Sequence, residues 1–247
     1  MTSNFGAGPA RRSGQPPRPS GPGGFFRFLP TTAWLIVANI AAFAVTAAQS
    51  RSVTDNWQNS SLFAGTVLYA PSVGQGEMWR ILGSAFEHFG PMHLFANMWM
   101  LLIIGLGIER VVGSKNLAAI YLTSAVGGAV GAIAFTPDTL VAGASGGVFG
   151  LLGAWAVLAR YYRLSASGAL VLIAINVGIS LFVPGISLAG HLGGLAGGVL
   201  GALALVLAPG LLMRASTARA RTTAGVVAWS AVTAGCVAAA YLLALPS

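Results

Sequence analysis

Seven long apolar stretches, separated by short polar segments, are the feature that most constrains how this chain can fold. They lie near residues 32–48, 92–112, 116–136, 145–162, 167–184, 188–208 and 224–245. Each approaches the roughly 20 residues that a helix needs to cross a bilayer. Only 7% of the residues are charged, too few to cover the surface of a soluble domain. Without an alternating pattern that would indicate strands, the sequence predicts an all-α polytopic membrane protein.

The basic residues lie mainly in alternate connecting segments. Eleven of the thirteen fall on one side of the predicted bundle: Arg11, Arg12, Arg18, Arg27, Arg110, Lys115, Arg160, Arg163, Arg214, Arg219 and Arg221. The intervening segments carry only Arg51 and Arg80. Because basic loops stay in the cytoplasm, we expect a cytoplasmic amino terminus and an extracytoplasmic carboxyl terminus. Topology thus explains the net charge of +8, and no nucleic-acid partner is expected.

Two segments depart from the pattern of short polar loops. Residues 1–30 are rich in proline, glycine, serine and arginine, which predicts a disordered cytoplasmic tail. Residues 49–91 contain Trp57, Phe63 and Trp79 among other apolar side chains, and we expect this outer loop to lie partly in the membrane interface. The first apolar stretch ends in AVTAAQS, which resembles a signal-peptidase site. A cleaved signal peptide is therefore the alternative, but the long proline-rich tail favours a retained helix.

The first candidate for chemistry is Ser145, in the sequence GASGG at residues 143–147. This sequence fits the G-x-S-x-G pattern of a nucleophile elbow, but the strand that such an elbow needs is not predicted here. Ser145 instead opens the fourth apolar helix, where small neighbours allow close approach and the first N–H groups have no intrahelical partner. Taken alone, GASGG is more typical of helix packing than of catalysis.

A histidine in the sixth apolar stretch favours a catalytic role for Ser145. His191 lies in the sequence AGHLGG, and ionisable residues within membrane spans are costly and commonly functional. The fourth and sixth helices are predicted to run in the same direction, which places both side chains near the outer face. Small-residue rows follow these helices at Gly190, Gly194 and Gly198, at Gly193, Gly197 and Gly201, and at Gly146, Gly150 and Gly153. Such rows permit the close approach that a serine–histidine hydrogen bond requires.

His93 and Asn97 form a third polar element, on the second apolar helix. Their spacing of four residues places them on one helix face, at the outer end of the bundle. Both side chains can donate hydrogen bonds to a developing oxyanion, alongside the backbone N–H of Ser145. Without Ser145 and His191, the pair would fit interhelical hydrogen bonding equally well.

Together these motifs resemble the rhomboid family of intramembrane serine proteases. The resemblance extends over residues 79–201, through Trp79-Arg80 and the three polar elements in family order. It implies a six-helix catalytic core within residues 31–208, and a linker with an additional seventh helix in residues 209–247. It also implies that Ser145 is the nucleophile, His191 the general base, and His93 and Asn97 donors of the oxyanion hole. Supporting positions are Gly143, Gly146, Phe149 and Gly194.

One residue departs from the family pattern, in which a tyrosine four residues after the nucleophile often packs on the catalytic histidine. This chain has Phe149 there, so ring packing persists without the hydroxyl and we expect activity to persist.

A third catalytic residue is not expected. Glu109 is predicted to pair with Arg110 at the cytoplasmic end, and burying Asp138 unpaired would cost about 2.5–3.5 kcal/mol. The sequence thus predicts a Ser-His dyad.

The resemblance also implies the substrates, which are single-span membrane proteins with small residues and an easily unwound helix at the cut. With the orientation predicted from the basic residues, the catalytic end lies on the extracytoplasmic side of a prokaryotic plasma membrane. The alternative is a catalytically silent rhomboid-like protein that binds membrane clients, and the presence of Ser145 and His191 argues against it.

Other membrane enzymes and transporters lack the residues that they need in this chain. A zinc protease needs H-E-x-x-H, whereas Glu87 precedes His88 and the next histidine is His93. An aspartyl protease needs two intramembrane aspartates, and Asp55 and Asp138 both fall in predicted outer loops. A transporter would need a carboxylate in the middle of the membrane. No metal and no cofactor are expected.

Overall fold

The computed structural model describes residues 30–211 and 217–246. Within them the chain forms seven long helices: α1 (Thr31–Ser50), α2 (Pro91–Val112), α3 (Ser114–Phe135), α4 (Ser145–Tyr162), α5 (Ser167–Phe182), α6 (Leu188–Ala202) and α7 (Ala218–Ala244). Helix α6 continues through a π-helical turn, Leu203–Leu207, into the short helix Ala208–Leu211. The described residues contain no strand, so the predicted all-α class is confirmed. The predicted disordered tail, apart from residue 30, lies outside the described residues.

Five of the described helices are long and apolar enough to cross a membrane: α1, α2, α3, α7, and α6 with its extension to Val206. The chain is therefore a multi-pass membrane protein, as its composition predicted. Helix α5 has only 16 residues, and α4 is not among the five. That α4 and α5 also cross the membrane stays a prediction.

Helix α6 lies between α3 and α4, and glycines allow this close packing. One glycine row of α6 faces α4, where a Cβ atom at Gly198 would overlap the carbonyl oxygen of Gly150. The other row faces α3, where a Cβ atom at Gly197 would lie 2.6 Å from the carbonyl oxygen of Thr123. Both rows lie at contacts between helix backbones, as the sequence pattern predicted.

The segment between α1 and α2 is folded onto the bundle. It contains the short helices Ser61–Thr66, Ala70–Gly74 and Arg80–Gly83 and a 3₁₀ turn, Ser84–Phe86. Its side chains Leu68, Val73 and Ile81 are buried in one cluster with residues of α3 and α7. Burial inside the protein therefore explains much of its apolar character. Interfacial insertion stays a prediction for its exposed residues, such as Trp57 and Trp79.

Arg80 organises this outer segment. Its Nη1 donates hydrogen bonds to the carbonyl oxygens of Ala64 and Val67, both at 2.8 Å, and its Nε pairs with the Glu77 carboxylate. A guanidinium can hold several acceptors at once because its donors form a rigid, planar fork. The side chain thereby ties the short helices of the segment to one another.

Helix α7 packs along α3 and reaches the outer segment. The Trp229 indole N–H lies 2.6 Å from the hydroxyl oxygen of Thr123, and Thr233 bonds the same hydroxyl at 2.9 Å. At its other end, a Cβ atom at Gly74 of the outer segment would overlap the carbonyl oxygen of Ala244. The seventh helix thus contacts both the bundle and the outer segment.

Glu109 has a structural role that differs from the predicted one. Its carboxylate accepts the backbone N–H groups of Thr31 (2.6 Å) and Thr32 (3.0 Å), and the hydroxyls of Thr32 (2.7 Å) and Ser114 (2.5 Å). The predicted ion pair with Arg110 is wrong, because Arg110 is exposed and the carboxylate turns toward the start of α1. There it satisfies N–H groups that a helix amino terminus leaves unpaired, and its negative charge complements the helix dipole.

We expect Glu109→Ala to lower the free energy of unfolding by about 2–3 kcal/mol, because several donors lose a charged acceptor at once. The measurement is the midpoint of thermal unfolding of the purified protein in detergent. Arg110→Ala is the matched control and should change the midpoint little. Equal effects of the two substitutions would contradict the capping role.

Candidate active site

Gly143 shapes the approach of the chain to α4. Its φ of +129° lies in a region that side chains rarely adopt, and its N–H donates to the carbonyl oxygen of Ser84 at 2.9 Å. A Cβ atom at this position would also lie 2.8 Å from Cε1 of His93. Only glycine fits here, and the chain then enters α4 with Ser145 as its first residue. The N–H groups of the first helical turn have no acceptors within the helix.

The amino-terminal ends of α4 and α6 meet beside Ser145. A Cβ atom at Gly194 would overlap the carbonyl oxygen of Gly146, so the two backbones touch directly. One turn along α4, the ring of Phe149 stacks on the imidazole of His191, with ring centroids 3.9 Å apart and planes inclined by 15°. The predicted residues of α4 and α6 are therefore brought together.

The imidazole of His191 bonds to a residue that the sequence analysis did not identify. Its Nδ1 lies 2.7 Å from the hydroxyl oxygen of Ser180 in α5. Among the described residues, no hydrogen bond joins the Ser145 hydroxyl to the His191 ring. Catalytic hydrogen bonds are often long before substrate binds, so this geometry is compatible with a nucleophile–base pair. The sequence shows only a serine in a mostly apolar helix, which does not indicate the residue that its hydroxyl meets.

His93 stands against the Ser145 segment from α2. The backbone N–H of Phe89 donates to its Nδ1 at 3.3 Å, which assigns the ring proton to Nε2. That side of the ring packs on Gly143, two residues before Ser145. Asn97 is buried, and its amide donates to the carbonyl oxygen of His93 at 2.9 Å. His93 thus presents an N–H donor close to Ser145, while one amide hydrogen of Asn97 is used within α2.

Two further polar residues, Glu87 and His88, are buried beside this site. The Ala144 N–H lies 3.4 Å from Nε2 of His88, whose ring contacts that of His93 edge to face with centroids 5.0 Å apart. Burial, reinforced by nearby His93, lowers the pKa of His88 to about 3, so this imidazole is neutral at physiological pH. Burial likewise raises the pKa of Glu87, partly offset by a hydrogen bond from Thr66. In the sequence these adjacent polar residues are typical of a solvated loop.

The acidic side chains of the described residues are not hydrogen-bond partners of the His191 ring. Asp138 is exposed, as expected from the sequence, and Glu77 pairs with Arg80. Within residues 30–211 and 217–246, no carboxylate forms a hydrogen bond with His191, and no group of three or more His, Cys, Asp or Glu residues is arranged to hold a metal ion. The imidazole instead stacks on the ring of Phe149 and bonds to the hydroxyl of Ser180.

The sequence model of the rhomboid domain matches residues 75–208, which is more than half of the 247-residue chain. The chain belongs to the rhomboid family. Members of this family are generally intramembrane serine proteases. The matched range includes the polar residues proposed from the sequence, His93, Asn97, Ser145 and His191, and also Ser180.

Several curated rhomboid proteins are similar in sequence. The chain is 38% identical over 140 residues to the rhomboid protease GluP of Bacillus subtilis (strain 168), an alignment that covers 55% of this chain and 27% of that protein. It is 36% identical over 142 residues to RHOMBOID-like protein 4 of Arabidopsis thaliana, covering 54% of this chain and 35% of that protein. RHOMBOID-like protein 5 of the same plant is 30% identical over 242 residues, with 81% and 74% covered. The chain thus spans well under half the length of the first two.

Proposed function

We propose that this protein is an intramembrane serine endopeptidase in which Ser145 is the nucleophile and His191 the general base. The observation that carries the proposal is the contact between the amino-terminal ends of α4 and α6, which joins the Ser145 turn to the His191 ring through the Phe149 stack. Membership of a family of serine proteases supports the same assignment. A serine hydroxyl becomes a useful nucleophile only beside a base, and a neutral histidine can serve as one.

The proposed reaction proceeds through an acyl-enzyme. Ser145 Oγ attacks the carbonyl carbon of the scissile peptide bond while its proton passes to Nε2 of His191. The backbone N–H of Ser145, Nε2–H of His93 and the remaining amide hydrogen of Asn97 would stabilise the negative oxygen that forms. When the peptide bond breaks, His191 gives the proton to the leaving amine. Water then attacks the ester carbonyl while His191 takes a proton from that water. His191 passes this proton to Ser145 Oγ as the ester bond breaks, which releases the new carboxyl terminus of the substrate.

The proposal is tested most cheaply by labelling with a serine-directed fluorophosphonate. We expect the full-length protein in detergent to gain one probe adduct, located by mass spectrometry on the peptide that contains Ser145. His191→Ala should abolish the labelling, because the hydroxyl is then not activated. A protein that is folded but takes up no probe would instead favour the catalytically silent rhomboid-like alternative.

We propose a dyad without an acidic third member. Asp138 is exposed, whereas Phe149 covers one face of the His191 ring. Phe149→Ala is expected to lower kcat roughly 10- to 100-fold, because the imidazole loses the packing that holds it. Asp138→Asn is the matched control and should retain nearly all turnover. A large loss in the asparagine variant, with the fold intact, would restore a triad.

The substrates that we propose are membrane proteins with one transmembrane segment, cut near the extracytoplasmic face at a site with small residues. A helical peptide hides its carbonyl groups, so the segment must unwind before Ser145 can attack.

The proposed location is a plasma membrane with the amino terminus in the cytoplasm, based on the distribution of Arg and Lys. Reporter fusions at residues 138 and 186 measure this orientation and should both give an extracytoplasmic signal. A cytoplasmic signal at either position would contradict the proposed orientation.

A further inference from the structure

Ser180 is a polar residue of α5, a helix with few buried residues, and its hydroxyl reaches the candidate base. Helix α5 buries only two residues, Ala169 and Ser180. The Ser180 hydroxyl oxygen lies 2.7 Å from Nδ1 of His191 and 2.7 Å from the carbonyl oxygen of Asn176, one turn earlier in α5. A hydroxyl can donate one hydrogen bond and accept others. The direction of each bond therefore determines which ring nitrogen of His191 carries the proton.

Counting hydrogen bonds gives that direction. The hydroxyl carries a single hydrogen, and the Asn176 carbonyl can only accept. If Ser180 donates to Asn176, its oxygen accepts the Nδ1–H of His191 and both contacts are hydrogen bonds. If Ser180 donates to Nδ1, the contact with Asn176 is lost. In a buried site the arrangement with two bonds is favoured, because an unmade bond there has no water to replace it.

We propose that Ser180 is a positioning residue that holds His191 in the Nδ1–H tautomer, with the lone pair of Nε2 directed to the reaction. This rests on the proposed function, in which Nε2 takes the proton of Ser145. In serine proteases with a triad, a carboxylate performs this orienting task by accepting the Nδ1–H of the histidine. A hydroxyl performs it without placing a charge in an apolar environment, where an unpaired carboxylate is costly.

The stack with Phe149 does not by itself determine which way the His191 ring is turned. A half-turn of the imidazole about its Cβ–Cγ bond keeps the ring in the same plane and keeps the stack, but it exchanges the positions of Nδ1 and Cδ2. Only one of the two orientations places a nitrogen against the Ser180 hydroxyl. Phe149 therefore sets the plane of the ring, while Ser180 selects the orientation within that plane and the nitrogen that carries the proton.

The experiment compares Ser180→Ala, Ser180→Thr and Ser167→Ala in the full-length protein. We expect Ser180→Ala to lower kcat roughly 10- to 100-fold with little change in KM, because substrate contacts are untouched. Ser180→Thr keeps a hydroxyl that can bond the same carbonyl and should restore most of kcat. Ser167→Ala removes a hydroxyl from the opposite end of α5 and should have no effect. If Ser180→Ala keeps full turnover, or if threonine restores none of it, the proposal is overturned.

A spectroscopic readout tests the tautomer without catalysis. The chain has three histidines, so protein labelled with ¹⁵N-histidine gives a small set of ring signals that His→Gln variants can assign. We expect His191 to carry its proton on Nδ1 in the wild type and in Ser180→Thr, and to shift toward Nε2–H in Ser180→Ala. An unchanged His191 spectrum in Ser180→Ala would overturn the proposal. If the spectrum shifts as expected but the wild type neither reacts with fluorophosphonate nor cleaves, the proposed function fails and the role of Ser180 in setting the tautomer stands.

Discussion

Ser145→Ala is expected to lower kcat for a transmembrane substrate at least about 10⁴-fold, and His191→Ala is expected to cause a loss of similar size. In the proposed mechanism the two side chains act as one unit, because the serine hydroxyl is a weak nucleophile without a base beside it. In soluble serine proteases the corresponding residues show large, non-additive effects on turnover. The double variant should therefore be no slower than either single variant.

The measurement is the cleavage rate of a single-span reporter protein, with enzyme and reporter reconstituted in the same liposomes. The exposed residue Asp138 supplies a control, since Asp138→Asn should cleave at nearly the wild-type rate. Thermal unfolding midpoints show that each variant is folded. Cleavage by folded Ser145→Ala or His191→Ala at more than a few per cent of the wild-type rate would remove these residues from the reaction.

Gly198→Ala is expected to destabilise the protein and disable the site together. The added methyl would overlap the carbonyl oxygen of Gly150, and neither backbone can move without separating α6 from α4. Overpacking of this kind costs about 1–3 kcal/mol. Because α6 also carries His191, a displacement of about 1 Å would lower kcat on the order of 10²-fold.

Gly235→Ala in α7 is the matched control, because nothing lies within 4 Å of a Cβ atom built there. In that open position alanine should leave turnover unchanged and should stabilise the helix by roughly 0.5–1 kcal/mol. Unfolding midpoints and cleavage rates of the two variants give the comparison. If Gly198→Ala behaves like Gly235→Ala, the close contact between α4 and α6 is not what maintains the site.

Long apolar stretches and glycine spacing carried most of the predictive information in this chain. The seven stretches predicted the positions of the seven described helices within a few residues, except that α7 begins at Ala218 rather than near residue 224. The glycine rows of α6 predicted its close packing, because only glycine lets two helix backbones touch. The motifs around Ser145, His191 and His93 indicated the rhomboid family, which the match to residues 75–208 shows.

Polar partners were the part that the sequence predicted least well. Glu109 was assigned to its neighbour Arg110, but its carboxylate caps α1 at Thr31 and Thr32, far away in the chain. Glu87 lies in the segment between α1 and α2, where the sequence placed it, but its burial, with only 2% exposed, was not predicted. A local pattern indicates that a residue is polar, but the donor that it meets belongs to another element and depends on how that element is placed.

Composition and spacing by themselves determined that this chain is helical, lies in a membrane, and carries a serine, two histidines and an asparagine at one end of the bundle. Only the tertiary structure decided which atoms meet. Helix α5 is mostly apolar and has no clear polar face, so the sequence did not show which side turns inward or that Ser180 meets His191. Hydrogen bonds require approach within about 3 Å, and that precision comes from packing, which apolar periodicity does not specify.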